Sequence, residues 1–201
     1  GIMKQFEYVK PSNITQASEL LKGDRTVACA GGTDLLDVLR NRLLPEYPDR
    51  VVSLKGIEGL DYIREEHGCL HIGAMTTLDT IAGSDLVKEK NRMIAQAAGS
   101  VASPNLRNTA TIGGNLCQDV RCWYYRYPNS LGGRVNCARK EGHLCSAMMG
   151  ENRYHSIFGA AKVCTTPCTE GCPAHTDISA YMEMLREGNV DQAARIILKA
   201  N

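Results

Sequence analysis

Residues 26–36 have the sequence TVACAGGTDLL, in which a run typical of a buried strand passes through two glycines into the start of a helical pattern. That pattern continues to residue 43, and residues 50–54 indicate a second strand. This order predicts a strand–helix–strand unit near the start of the chain. The glycine pair also permits positive φ angles and leaves no Cβ in the way of an approaching anion.

The segments around this unit predict further short elements. Ser12 or Asn13 is expected to cap a helix over residues 13–21. The other predicted elements are a hairpin with strands at 62–64 and 70–72 and helices at 78–81 and 86–98. Helices and short strands therefore share the first half of the chain.

Length and charge restrict the class of protein. A chain of 201 residues fits one domain, or one domain with a small appendage. A net charge of +1 argues against nucleic-acid binding, although basic and aromatic residues alternate within residues 121–127. No apolar run approaches the roughly 20 residues of a membrane span, and the first residues lack the pattern of a signal peptide. We therefore expect a cytoplasmic protein with neither membrane nor nucleic acid as a partner.

A second glycine turn lies further along the chain. Residues 108–116 have the sequence NTATIGGNL, which is again polar and again contains paired glycines. On its own, the turn at residues 30–34 is more simply explained as an ordinary connection between a strand and a helix. The second turn changes that interpretation, because two such turns in one domain can hold a pyrophosphate from both sides.

Cysteines are concentrated after the second turn. Six of the nine lie within residues 122–172, and they are Cys122, Cys137, Cys145, Cys164, Cys168 and Cys172. Residues 115–172 show no clear periodicity, and so long a loop needs an organising group such as a metal. In a reducing compartment this pattern favours an iron–sulfur cluster over disulfides. A zinc site and a loop of structural or free thiols are the two alternatives.

Four motifs together resemble the FAD-binding (medium) subunit of the xanthine dehydrogenase and carbon monoxide dehydrogenase family. They are the two glycine turns, GAMTTL at residues 73–78 and SPNLRN at residues 103–108, and the resemblance covers residues 6–117. It implies an α+β, two-lobed FAD-binding domain of the PCMH-like type. The residues implied to hold the FAD pyrophosphate are Ala30, Gly31, Gly32, Thr33, Asp34, Leu35, Thr111, Gly113, Gly114 and Asn115. Those implied to lie near the flavin or ribityl chain are Thr77, Ser103 and Asn108.

The sequence CQDVRCWYY at residues 117–125 resembles one branch of that family, 4-hydroxybenzoyl-CoA reductase. The flavin subunit of that branch carries an inserted loop with a 4Fe-4S cluster, and the likeness places three of its four ligands at Cys122, Cys137 and Cys145. The position of the fourth ligand falls within residues 150–155, which contain no cysteine. The fourth ligand is therefore open, with Cys164 favoured over the alternatives Cys117 and His155.

The last part of the chain resembles a different family. Residues 164–178 contain three cysteines spaced as Cys-x₃-Cys-x₃-Cys-Pro, and two amphipathic helices separated by Gly188 are expected between residues 177 and 200. This segment is similar to the start of the iron–sulfur domain of the glutamate synthase small subunit and dihydropyrimidine dehydrogenase. The likeness implies that Cys164, Cys168 and Cys172 belong to an iron–sulfur site.

These resemblances imply a division of the chain and a function. Residues 1–116 would form the FAD-binding domain, with a small lobe at 1–55 and a larger lobe at 56–116. Residues 117–163 would form the iron–sulfur loop, and residues 164–201 the start of a helical iron–sulfur domain.

The implied function is electron relay between iron–sulfur clusters and FAD within a larger molybdenum hydroxylase-type oxidoreductase. Its implied partners are iron–sulfur and molybdopterin subunits and a nicotinamide or ferredoxin carrier, and we expect no turnover by the chain alone. The alternative is a non-catalytic scaffold that docks redox subunits, with zinc or no metal in the loop.

Overall fold

The computed structural model describes residues 3–128, 135–156 and 178–199. It divides into two compact units, Gly1–Asp119 and Val120–Asn201. The predicted ligands Cys164, Cys168 and Cys172 lie outside the described residues.

A three-stranded parallel sheet forms the first part of the first unit. Its strands are β1 (Glu7–Val9), β2 (Thr26–Cys29) and β3 (Arg50–Ser53), in the order β1-β3-β2. Val52, in the central strand, has no exposed surface. The predicted strand–helix–strand unit is confirmed, and β2 pairs in parallel with β3.

Two helices accompany this sheet, α1 (Ile14–Leu21) and α2 (Leu35–Arg40). Asn13 caps α1, because its Oδ1 accepts the amide hydrogen of Gln16 at 2.8 Å. The expected helix over residues 33–43 is shorter than its apolar pattern indicates. Arg42 adopts a φ of 55°, and the Leu43 amide reaches back to the Val38 carbonyl at 3.0 Å, a geometry typical of a helix end.

Leu39 is the main anchor of α2, since its side chain has no exposed surface and packs with Cys29 and Val51. We expect Leu39→Ala to lower the free energy of unfolding by about 2–5 kcal/mol, because it removes buried methyl groups and leaves a cavity. Leu36→Ala on the same helix is the matched control, because Leu36 is 45% exposed. Urea unfolding checks both variants, and equal destabilisation of the two would contradict this assignment of the core.

A hairpin and three helices form a second core in the same unit. The hairpin consists of β4 (Ile63–Glu66) and β5 (Cys69–Ile72), paired in antiparallel register. Its two turn residues, His67 and Gly68, have φ angles of 51° and 78°, as a tight two-residue hairpin requires. The helices are α3 (Leu78–Gly83), α4 (Asp85–Lys90) and α5 (Arg92–Ser100).

The expectation of one helix over residues 86–98 is wrong, because Asn91 divides it. Asn91 has an extended φ of −153° and ends α4, while its Oδ1 accepts the amide hydrogen of Ile94 at 3.4 Å and caps α5. Val87 and Ala95, on either side of this break, both lie in the core around Leu78 and Ile81. The break lets both short helices face the same core.

Two further short helices complete the first unit, α6 (Pro104–Arg107) and α7 (Ile112–Leu116). In the second unit, the described part contains two 3₁₀ turns and two helices, α8 (Ile178–Arg186) and α9 (Val190–Lys199). Gly188 separates α8 from α9 with a φ of 77°, as expected. No helix among the described residues combines the length and apolar character needed to cross a membrane.

Candidate cofactor sites

The first glycine turn connects β2 to α2. Gly32 has a φ of 83°, which favours glycine, and its carbonyl accepts the Leu36 amide hydrogen at 3.0 Å. Gly31 is confined by backbone, because a Cβ built on it would collide with the Thr109 carbonyl oxygen. Asp34 is the N-cap of α2, but its side chain makes no capping hydrogen bond. Neither glycine of this turn therefore has room or geometry for a side chain.

The second glycine turn forms α7 and packs against the segment that follows β5. The Gly113 amide donates to the Ala74 carbonyl at 2.9 Å. Thr77 and Thr111 form an isolated antiparallel bridge between the same two segments. Thr111, which is 3% exposed, caps α7 through Oγ1, which accepts the Gly114 amide hydrogen at 3.2 Å. The Thr111 hydroxyl thus organises the turn.

The two turns meet in the folded chain. A Cβ on Gly114 would lie 3.5 Å from the Cβ of Ala30, and one on Gly31 would lie 3.1 Å from the Cα of Ala110. A side chain at Gly113 would be 2.8 Å from the Ala74 carbonyl oxygen. Three backbone segments that are distant in sequence therefore come together at this place, and glycines allow their close approach.

Most of the residues predicted to bind FAD lie in or beside this region. Those in the contacts just described are Ala30, Gly31, Gly32, Thr77, Thr111, Gly113 and Gly114. Leu35 begins α2 and Asn115 lies within α7, whereas Thr33 is exposed and does not cap α2. Ser103 and Asn108 are the two end caps of α6, and both are exposed.

Sequence reasoning gave no role to two backbone positions, Ala74 and Thr109. The Thr109 carbonyl group lies against Gly31, and the Ala74 carbonyl group lies against Gly113. A pattern of side chains in the sequence does not reveal such backbone contacts. The helix α6 did have a recognisable sequence pattern, because Ser103 followed by Pro104 is a favoured N-cap and first helical residue.

Cys29 is the last residue of β2 and lies directly before the first turn. Burial raises the pKa of its thiol, and the nearby Lys55 partly opposes that shift. A raised pKa means a smaller thiolate fraction at any given pH, and the thiolate is the reactive form. We therefore expect iodoacetamide to label the exposed Cys69 faster than Cys29 at pH 8 in the folded protein, as measured by peptide mass spectrometry. Equal labelling rates of Cys69 and Cys29 in the folded protein would contradict this expectation.

Three of the predicted cluster cysteines share one small core in the second unit. Cys122, Tyr125 and Ala147 are buried at its centre, and Cys122 is only 4% exposed. Cys137 and Cys145 pack against them. All six cysteines within the described residues are free thiols.

Backbone hydrogen bonds bring the segments of Cys137 and Cys145 together. The Ala138 amide donates to the Leu144 carbonyl at 2.8 Å, and the Gly142 amide donates to the Cys137 carbonyl at 2.9 Å. These bonds close a compact loop with one cysteine at each end. Cys137 and Cys145 therefore lie on adjacent segments of the chain.

Basic side chains surround this core. Lys140 is 1% exposed, and its Nζ lies 5.1 Å from the centre of the Tyr125 ring. Arg126 Nε donates to the Val120 carbonyl at 2.9 Å. Such cations suit the neighbourhood of an anionic cluster, and thiols are the ligand type that iron–sulfur clusters take. Within residues 3–128, 135–156 and 178–199, no three His, Cys, Asp or Glu side chains are placed so that they could hold a metal ion.

Two family models match the chain. The FAD-binding domain of molybdopterin dehydrogenase matches residues 4–151, and dihydropyrimidine dehydrogenase domain II with a 4Fe-4S cluster matches residues 155–201. These matches confirm FAD and a 4Fe-4S cluster as the cofactors, and they confirm the predicted α+β fold class of the first domain.

Curated relatives carry the same domain. The nicotinate dehydrogenase FAD-subunit of Eubacterium barkeri is 39% identical over 57% of this chain and 39% of its own length. The aldehyde oxidoreductase FAD-binding subunit of Escherichia coli is 31% identical over 81% of this chain and 49% of its own length. The chain thus spans less than half the length of these relatives.

Solved structures agree with the sequence matches. Carbon monoxide dehydrogenase from Hydrogenophaga pseudoflava has a TM-score of 0.55 and 34% identity, over 58% of this chain and 40% of that one. Quinoline 2-oxidoreductase from Pseudomonas putida 86 has a TM-score of 0.54 and 28% identity over the same shares.

The residues present fit FAD. The glycine turns bring backbone segments together with no side chains between them, which suits the close approach of a pyrophosphate. The family match covers most of the chain and includes both turns. This chain therefore belongs to the family of FAD-binding domains of molybdopterin dehydrogenases.

Proposed function

We propose that this chain is an electron-transfer module of a multi-component, molybdenum hydroxylase-type oxidoreductase, and that it relays electrons between 4Fe-4S clusters and FAD. The observation that carries the proposal is the arrangement of two family matches on one chain, FAD-binding at residues 4–151 and 4Fe-4S at residues 155–201. A flavin site and an iron–sulfur site that adjoin in sequence are suited to electron transfer between the two cofactors.

We propose that the two glycine turns hold the FAD pyrophosphate, with Thr77, Ser103 and Asn108 toward the flavin and ribityl chain. FAD, when bound, supplies the exchange of electron pairs and single electrons. The residues of this chain would hold the cofactor in position. Its turns are built from contacts between backbone segments, as between Gly31 and Thr109, so the backbone is closely packed where the phosphates would bind.

We propose that the loop over residues 117–163 holds one 4Fe-4S cluster through Cys122, Cys137 and Cys145, as in the 4-hydroxybenzoyl-CoA reductase branch. The shared core of these cysteines supports this assignment. The buried Lys140 and the nearby Arg126 would offset the negative charge of such a cluster and so influence its reduction potential. Cys164, Cys168 and Cys172 would belong to a second site, in a segment of the glutamate synthase small-subunit type.

The proposed partners are separate iron–sulfur and molybdopterin subunits and a nicotinamide or ferredoxin carrier. The names of two relatives indicate subunits of larger assemblies, which supports this proposal. They are the carbon monoxide dehydrogenase medium chain of Afipia carboxidovorans and the caffeine dehydrogenase subunit beta of a Pseudomonas strain. We propose that the isolated chain does not turn over substrate. Robust, saturable reduction of artificial acceptors by NADH with the isolated chain would show that it is a self-sufficient enzyme.

Anaerobic purification followed by absorption spectroscopy and metal analysis tests the electron-transfer proposal. We expect flavin absorption bands and a broad iron–sulfur shoulder in the same sample. Stoichiometric zinc without iron or flavin would instead support the scaffold that docks redox subunits. Flavin bands in the spectrum together with neither iron nor zinc in the metal analysis would contradict electron relay between two kinds of cofactor.

A further inference from the structure

We propose that Lys55 is a further cofactor-binding residue, and that its ammonium group pairs with the pyrophosphate of FAD beside the first glycine turn. This inference deepens the proposed function and rests on it, because it requires that the two glycine turns hold the pyrophosphate. Lys55 belongs to none of the four motifs that carry the family resemblance.

The segments that meet at the glycine turns contain neither lysine nor arginine, and they are residues 26–39, 73–83 and 108–120. The first turn includes the acidic Asp34 instead. Backbone amides near a pyrophosphate carry only partial positive charge. Arg107 lies next to the second turn, but its Nη1 donates to the carbonyls of Val101 and Ala102 at 2.9 and 3.2 Å. A full positive charge beside the phosphates can therefore come only from another part of the chain.

Strand β3 brings Lys55 to the same edge of the sheet as the first turn. Strands β2 and β3 are parallel neighbours, with Cys29 opposite Ser53. The pairing continues beyond these residues, because the Leu54 amide donates to the Cys29 carbonyl at 2.9 Å. Lys55 thus comes two residues after Ser53, just as Gly31 comes two residues after Cys29. Ligands of open α/β sheets bind outside the carboxyl ends of the strands, which is where both residues lie.

The thiol of Cys29 relates the Lys55 charge to the turn. Cys29 Sγ lies 3.4 Å from the place that a Cβ on Gly32 would occupy, so it stands directly behind the turn. Burial raises the pKa of this thiol, and the charge of Lys55 acts in the opposite direction. Such an influence requires proximity, because charges more than about 10 Å apart are largely screened at about 0.1 M salt. The ammonium group therefore lies close enough to the turn to act on charge bound there.

The ammonium group of Lys55 is available for a ligand. Lys55 is exposed, and its Nζ forms no hydrogen bond or ion pair among the residues that the structure describes. Its backbone is nevertheless held, since its amide donates to the Oγ of the buried Ser53 at 3.3 Å. A lysine side chain on such a backbone suits a phosphate, because it carries a compact charge on a flexible stem.

Titration of the apoprotein with FAD, followed by the quenching of flavin fluorescence, tests the proposal. We expect Lys55→Gln to raise the dissociation constant about 3- to 10-fold at low ionic strength, because a charge-assisted contact at an exposed site is lost. The difference from wild type should shrink as salt rises from about 0.01 M to about 1 M, since the Debye length falls from about 30 Å to about 3 Å. Lys55→Arg keeps the charge and should retain an affinity within about twofold of wild type.

Lys22→Gln is the matched control, because it makes the same change of charge at the opposite edge of the sheet. Lys22 follows α1 and precedes β2, and its Nζ forms an exposed ion pair with Glu19 at 2.6 Å. Loss of such a pair costs little stability. The ³¹P NMR spectrum of bound FAD adds a measurement at the phosphates themselves. Lys55→Gln should shift the pyrophosphate resonances, and Lys22→Gln should leave them in place.

The titration separates failure of this inference from failure of the proposed function. If the wild type binds FAD and Lys55→Gln binds it with the same affinity and the same salt dependence, Lys55 does not pair with the pyrophosphate. Equal weakening in Lys22→Gln would also overturn the inference, because the total charge of the chain would then explain the effect. If the wild type binds no FAD, the proposed flavin site fails, and this inference fails with it.

Discussion

Gly31→Ala is expected to release FAD, although the variant adds only one methyl group. The added Cβ would collide with the Thr109 carbonyl oxygen, a backbone atom that cannot rotate away. The two glycine turns would have to separate, and forced shifts of this kind cost about 1–3 kcal/mol. The dissociation constant for FAD should therefore rise by about 5- to 150-fold, as measured by the quenching of flavin fluorescence in a titration of the apoprotein.

Gly83→Ala is the matched control for that experiment. Gly83 ends α3, has no positive φ, and a Cβ built on it meets no atom within 4 Å. Far-UV circular dichroism of both variants separates a local change in the turn from loss of the fold. Unchanged FAD affinity in a folded Gly31→Ala variant would show that the junction of the two turns does not bind the flavin dinucleotide.

Cys122→Ala is expected to have the second large effect, loss of about four iron atoms per chain and of order in the surrounding loop. Cys122 lies at the centre of the small core with Tyr125 and Ala147, so it contributes both packing and a proposed ligand. Metal binding and ordering of such a loop are one event, and removal of a ligand therefore affects both. Iron and acid-labile sulfide analysis, together with limited proteolysis of the loop, measures the two effects.

Two variants separate the ligand from its packing. Cys122→Ser nearly preserves the volume of the side chain, so it should restore the packing but not the iron. Cys69→Ala removes an exposed thiol at the start of β5 and should leave the iron content unchanged. An iron content equal to wild type in Cys122→Ala, with zinc absent, would contradict the proposed cluster in the loop.

Short-range features of the fold follow from the sequence. The cap of α1 at Asn13 and the hairpin formed by β4 and β5 agree with their predictions. Gly188 likewise separates the two C-terminal helices. In each case the deciding interaction joins residues only a few positions apart, so the local sequence contains the information.

Element boundaries depended on the tertiary structure. The sequence predicts one helix over residues 86–98, yet Asn91 divides it, because two short helices can both reach the core around Leu78 and Ile81 while one straight helix has a single axis. The apolar pattern of residues 33–43 likewise outlasts α2, which ends where Arg42 takes a positive φ. Periodicity reports which residues are apolar, and packing decides where the helix stops.

The sequence by itself determined the chemistry of the candidate sites: paired glycines for a phosphate, clustered thiols for a metal, and the family that combines them. Only the tertiary structure decided which backbones meet, Gly31 with Thr109 and Gly113 with Ala74. It also decided that Lys55 lies at the same edge of the sheet as the first glycine turn. The physical reason is that a residue type fixes what a group can bind, whereas contacts between distant positions arise only when the whole chain packs its core.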